Sequence, residues 1–125
     1  MNNPVAWFEI YVEDMDRAKA FYESMLNVKL EKLETTEIDM QINMWSFPMD
    51  MAAPGAAGAL VHIDNFSSGA NSVLIYFSCE DCAVEAERAA KAGGNIEKPK
   101  MSIGEYGHIA LVTDTEGNMI GLHSK

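Results

Sequence analysis

Basic residues are scarce in this chain: Lys and Arg number 9 against 19 Asp and Glu, a formal net charge of −10 over 125 residues. Such a chain repels phosphate backbones and anionic lipid, so no nucleic acid and no membrane is expected among its partners. A neutral or cationic small molecule remains compatible with that charge. Long apolar runs are missing as well, which argues against a membrane-spanning helix. The opening Met-Asn-Asn-Pro has no basic stretch followed by an apolar core, so no secretion signal is read and a cytoplasmic protein is expected. There is no phosphate-cradling Gly loop, no G-x-S-x-G elbow and no spacing that recommends a Ser-His-Asp arrangement. Cysteine occurs only twice, as the C-x-x-C of Cys79 and Cys82. A four-cysteine zinc site needs a second such pair. The intervening Glu80 and Asp81 raise thiol pKa values, so the pair reads as small packing residues and not as a redox motif.

What is present is an ordinary globular balance, 48% hydrophobic and 22% charged, in a chain near the commonest size for one domain. Trp7 to Glu13 alternates and is rich in β-formers, which predicts a strand. Asp14 stands as an N-cap, and Ala18, Phe21, Tyr22, Met25 and Leu26 follow at helical spacing as one apolar stripe. Asn27 suits the left-handed ending of that helix. The pattern returns with the β-rich run Val73 to Cys79, the cap Asp81, a slimmer face of Ala83, Ala86 and Ala90, and an ending at Gly93-Gly94. The caps lie 81 − 14 = 67 residues apart, just over half the chain, and the strand endings match as V-E-D and C-E-D. A period of half the chain indicates a duplicated unit and not a solenoid.

Further strands are predicted at Val28–Glu34, Ile38–Phe47 and Ala59–Ile63, and then at Asn95–Pro99, His108–Thr113 and Met119–His123. Asp114 to Asn118 reads as a turn. Each unit is therefore β-α-β-β-β. The expected architecture is an α+β fold in one domain over 1–125, with module 1 at about 4–66 and module 2 at about 70–125. After Met44 the apolar parity shifts to Trp45, Phe47, Met49 and Met51, which suggests a bulge or a strand whose polar side faces a cleft. The apolar loop from Pro48 to Gly58 is expected to be a lid or a subunit contact. Gly104 to Gly107 reads as a hinge or turn, with Tyr106 expected over the cleft.

The opening F-E-I-Y-V-E-D-M-D-R-A-K-A-F-Y, the G-G ending of the second helix and the closing D-T-E-G-N-M-I-G-L resemble the vicinal oxygen chelate superfamily. That group holds glyoxalase I, bleomycin-resistance proteins and extradiol dioxygenases. The likeness spans nearly the whole chain and is strongest to small glyoxalase-like members ending G-N-x-x-G-L. Thr115 stands where Pro is usual in the D-P-x-G turn. The resemblance implies paired modules whose curved, mixed sheets enclose a ligand cleft, but it does not name a reaction.

In metal-using relatives, His, Glu or Gln side chains point inward from the first and last strands of each module. Here those positions fall on Trp7, on Leu74, on Gly121 and near Gly58 to Leu60, and none of these is a donor. No metal and no other cofactor is expected, although Glu9, His62 and His123 remain an alternative set for a shifted ion. Glu9 is singled out as a tentative catalytic residue. A mid-strand carboxylate is costly to bury unless it is paired, and an apolar cleft would raise its pKa toward the range of a general base. Ligand-binding candidates are Trp7, Tyr11, Trp45, Leu74, Tyr76, Tyr106, Met119 and Gly121. The leading expectation is a homodimer that binds a small, largely apolar or aromatic molecule without metal. The alternatives are a metal-independent lyase or isomerase with Glu9 as base, a metal-dependent glyoxalase-like enzyme with relocated ligands, and an interaction module with no ligand.

Overall fold

The computed structural model describes residues 3–34, 42–64 and 72–125. Within them the chain divides into two compact units. The first is Trp7–Val73, and the second is Leu74–Lys125 joined by the opening residues Met1–Ala6. The start of the chain is tied to the second unit where Ser78 N–H donates to the Pro4 carbonyl at 2.9 Å.

The first unit runs β1 (Val5–Tyr11), α1 (Met15–Leu26), β2 (Glu31–Leu33), β3 (Ile42–Ser46) and β4 (Ala57–Ile63). β1 pairs in parallel with β4, and β4–β3 and β3–β2 are antiparallel, so the sheet order is β1-β4-β3-β2. The second unit runs β5 (Val73–Ser78), α2 (Cys82–Lys91), β6 (Asn95–Ser102), a single 3-10 turn at Gly104–Tyr106, β7 (His108–Thr113) and β8 (Met119–Ser124). Its order, β5-β8-β7-β6, repeats the same mixed topology with β5 parallel to β8. The two β-α-β-β-β units expected from the repeat are thus present.

The helix ends follow local chemistry. Asp14 is extended, and its carboxylate accepts from the Arg17 amide at 3.0 Å; Asn27 closes α1 in the left-handed region at φ 54°. Asp81 does the same for α2 through the Ala83 amide at 3.1 Å. At the other end of α2 the two glycines have different duties. Gly93 takes φ 106°, and a side chain on Gly94 would meet the carbonyls of Thr113 and Ala89.

Each helix covers one face of its own sheet. Under α1 the core is Val12, Met15, Leu30 and Leu60, packed by Ile10, Ala18, Tyr22, Val28, Trp45 and Phe47. Under α2 it is Cys82, Ala86, Ala110, Val112 and Leu122. The α1 stripe is only partly used: Ala18 and Tyr22 pack inward, whereas Phe21, Met25 and Leu26 are exposed.

Strand bounds differ from expectation in instructive places. β1 starts two residues earlier and stops at Tyr11, and β2 keeps only Glu31–Leu33 of the expected Val28–Glu34. Residues 38–41 of the expected third strand lie outside the described residues. The bulge expected after Met44 is not found, because Asn43 to Ser46 pair with His62 to Ala59 without a shift. The shifts occur instead in β6, which runs past Pro99 to Ser102 and breaks register between Ile96 and Lys98 and between Lys98 and Met101. β6 pairs with β7 alone in its unit, so a proline without an amide hydrogen is accommodated there.

Candidate functional site

Alternation along β1 sends Phe8 and Ile10 toward α1 and sets Trp7, Glu9 and Tyr11 on the opposite face of the sheet. Glu9 is buried at 9% exposure. Its carboxylate is held from both sides by its own strand: Tyr11 Oη donates to Oε1 at 2.7 Å, and Trp7 Nε1 donates to Oε2 at 3.1 Å. Both bonds join residues two apart, a spacing that only an extended strand places on one face. Register adds the rest of the surface. Ala59 lies beside Glu9 and Val61 beside Tyr11, with Ser46 and Met44 next across β4. Ala59 and Val61 are almost fully buried, and Ser46 is buried too. A carboxylate in such surroundings is costly unless it is hydrogen-bonded. Here both oxygens accept from neutral donors of the same strand.

The second unit holds different chemistry at the corresponding places. Glu9 stands five residues before the cap Asp14, and Tyr76 five before the cap Asp81. Tyr76 pairs in register with Gly121 as Glu9 pairs with Ala59. Leu74, Tyr76 and Gly121 are buried and share a face, and Met119, half-buried, follows Gly121 on that face of β8. A Cβ on Gly121 would run into ring carbons Cδ1, Cε1 and Cγ of Tyr76. Tyr106 is 49% exposed in the turn between β6 and β7, where its carbonyl lies 2.6 Å from His123 Nε2.

Trp45 is not brought to the Glu9 face. It pairs with Leu60, packs in the core under α1 with its indole N–H on Asn43 Oδ1 at 3.2 Å, and carries the Lys19 ammonium 3.3 Å above its ring. His62 is paired with Asn43 on that same helix side, and its Nδ1 lies 2.9 Å from the Val12 carbonyl. It therefore does not converge with Glu9, and the shifted set loses a member.

Among the described residues no group of three or more His, Cys, Asp or Glu side chains is arranged to hold a metal ion. Register supplies the position that the sequence left near Gly58 to Leu60: it is Ala59, the counterpart of Gly121. A divalent ion needs oxygen, nitrogen or sulfur donors, and Trp7, Ala59, Leu74 and Gly121 do not fit one. The thiols fit no redox role either. Burial, then the nearby Glu85 carboxylate, pushes Cys79 up to about 11, and Cys82 is fully buried in the core under α2.

On the helix side of the first unit lies an open apolar groove of about 320 Å³ between α1 and the start of β4. Phe8, Tyr22, Met25, Phe47, Pro48 and Gly58 line it, with Phe47 tilted against Phe8 and edge-on to Tyr22 at 5.7 Å each. The expected loop from Pro48 ends at Ala56, before β4 begins at Ala57, and its Met49 and Met51 are exposed. Alternation along β1 identified Trp7, Glu9 and Tyr11 as neighbours. Ala59, Val61 and Ser46 were missed, because strand register depends on pairing partners that one strand's pattern does not name.

Solved structures similar to the chain include methylmalonyl-CoA epimerase from Mycobacterium tuberculosis, 18% identical over 97% of this chain and 87% of that one, with a TM-score of 0.66. A variant of the Streptomyces coelicolor methylmalonyl-CoA epimerase in complex with 2-nitronate-propionyl-CoA is 15% identical, covering 100% and 96%, at 0.68. A variant of 4-hydroxymandelate synthase from Streptomyces coelicolor is 14% identical, covering 97% and 38%, at 0.70. At these identities the likeness shows the fold alone. No curated protein matches the chain. No helix among the described residues is long and apolar enough to cross a membrane. The family model for the glyoxalase/bleomycin resistance protein/dioxygenase superfamily matches residues 5–122, and with the paired β-α-β-β-β units and their mixed sheets it makes this chain a member of that superfamily.

Proposed function

We propose that this protein binds a small, largely apolar or aromatic molecule without a metal ion, on the Glu9 face of its first unit. One observation carries the reading: a buried carboxylate gripped by Trp7 and Tyr11 and walled by Ala59 and Val61. Ligand sites commonly combine apolar walls with few polar anchors, and this face has both. Trp7 and Tyr11 supply ring area and fix the carboxylate, while Glu9 orients a hydroxyl or amine of the ligand. Within this reading the protein is cytoplasmic and pairs as a homodimer, two-fold assembly being the commonest closed form.

A second reading, a metal-independent lyase or isomerase with Glu9 as base, is favoured by the same clamp. Two donors that hold the carboxylate in one orientation would serve proton transfer as well as binding. Similar solved structures include epimerases, which are isomerases.

A fluorescence screen of small aromatic and cationic compounds finds the ligand, with Trp7 and Trp45 as reporters. Trp7→Ala, followed by calorimetry, then abolishes affinity for a binder, and Glu9→Gln weakens it modestly, since the amide keeps the shape and one acceptor. For an enzyme, Glu9→Gln keeps binding and removes the product seen by mass spectrometry. If no compound quenches either tryptophan, and neither substitution alters binding or turnover, both readings fall.

A further inference from the structure

We infer that two copies of this chain pair through the first unit's helix side, over the exposed stripe of α1, the groove beside it and the loop after β3. This rests on the homodimer of the proposed function and names its surface. Phe21, Met25 and Leu26 on α1 are 59%, 57% and 50% exposed, and Met49 and Met51 on the loop are exposed as well. Rings join the helix to the groove. Phe21 lies edge-on to Tyr22 at 5.0 Å, and Tyr22 continues through Phe47 to Phe8, a ladder of four rings from solvent down to the sheet. Half-exposed side chains of this size leave on the order of 100 Å² each, and the five together about 500 Å², near the largest apolar patch of an ordinary monomer. The groove walls bring this face toward the ~800 Å² that each partner of a stable pair buries. Charge points to the same occupant. Two copies at −10 repel one another, and this face offers contact without bringing acids together. No Asp, Glu, Lys or Arg lines the groove, and Asp50, the one charged residue in 47–58, turns its carboxylate onto the Ala52 amide at 2.9 Å. A two-fold pair needs one patch that fits itself. Here the ridge of Phe21 and Met25 borders a groove of about 320 Å³, so each copy presents both a knob and a hole, and methionine adapts to either. In this unit the described chain breaks off at Glu34 and Asp64 and resumes at Ile42 and Ser72. Ile42 pairs with Ile63 at the end of the sheet away from Gly58, so the remaining residues do not join the chain at the groove.

Sedimentation of the full chain at micromolar concentration should give twice the chain mass. Phe21→Glu and Met25→Glu should each weaken pairing by about 100-fold or more, because a two-fold interface meets every substitution twice and sets two carboxylates in an apolar contact. Val84→Glu, at an exposed apolar site on α2, should leave pairing unchanged. Hydrogen exchange checks the surface without any substitution: amides of 15–26 and 47–56 in wild type should gain protection as concentration rises through the pairing range. A dimer that ignores both α1 substitutions, or that protects other segments in place of these, overturns the surface and leaves the homodimer standing. A wild type that stays monomeric overturns both. Uptake of the dye ANS by that monomer, lost in Met25→Glu, would give the groove to a small apolar ligand instead. None of these measurements reads binding at Glu9, so this inference and the proposed ligand site fail separately.

Discussion

The two units have the same strand order and the same helix cap, yet they finish their surfaces differently. In the first, α1 leaves Phe21, Met25 and Leu26 exposed, and the sheet face away from the helix carries a clamped carboxylate. In the second, α2 has small side chains, Cys82 and Ala86, in its core contact, and the corresponding sheet face is closed by a tyrosine ring over a glycine. The difference shows how few side chains need change to give the two units of a duplicated fold different surfaces. Two positions, Glu9 with Ala59 against Tyr76 with Gly121, separate a face with a clamped carboxylate from one with a tyrosine ring over a glycine.

The harshest test of that comparison is whether the units stand or fall together. Leu60→Ala empties the core under α1 and should cost about 2–5 kcal/mol. Leu122→Ala, under α2, falls in the same range of about 2–5 kcal/mol. We propose that 1–125 is one domain, so urea unfolding should show a single transition that either change moves. Two transitions, each moved by only one of the changes, would make the units independent domains.

A smaller effect sharpens the contrast at the polar centre. Tyr11→Phe deletes the hydroxyl that donates to Glu9 Oε1 and should lower stability by about 1.5–3 kcal/mol, the range for a hydrogen bond to a charged group. The same unfolding titration measures it. A loss below about 0.5 kcal/mol, the ordinary range of surface changes, would mean that the clamp does not operate in solution.

The smallest effect concerns the caps. The Lys100 ammonium, 2.9 Å away, together with the Ala83 amide, holds the Asp81 carboxyl below its ordinary value of 3.8. A depressed carboxyl stabilises the fold above its unfolded pKa and loses that contribution as pH falls through the folded one. Lys100→Met should therefore be slightly less stable than wild type at pH 6, and the gap should close as pH drops below 3.8. The pair is exposed, so the difference is a small one that salt screens. A gap that persists at pH 2 would assign the effect to packing of the lysine stem instead of its charge.

The duplication, both N-caps, the left-handed ending at Asn27 and the grouping of Trp7, Glu9 and Tyr11 were all legible along the chain. Each depends on residues close in sequence: a carboxylate reaching an amide two or three positions on, or side chains two apart on one strand. Other features needed pairing partners from far along the chain. Trp45 was expected at the ligand and lies under α1, because the register of β3 on β4 sets which of its faces meets the helix, and apolar residues occupy both. The parity change after Met44 suggested a bulge for the same reason, since a strand apolar on both faces loses its period-two signal. The absence of metal donors at Trp7, Leu74 and Gly121 could be read from resemblance. That Ala59 completes the set, that Phe21 and Met25 stay outside the core, and that Tyr76 lies on Gly121 were decided by tertiary structure. Local chemistry is written in short-range order, whereas register and burial arise from packing elements whose separation in sequence carries no distance.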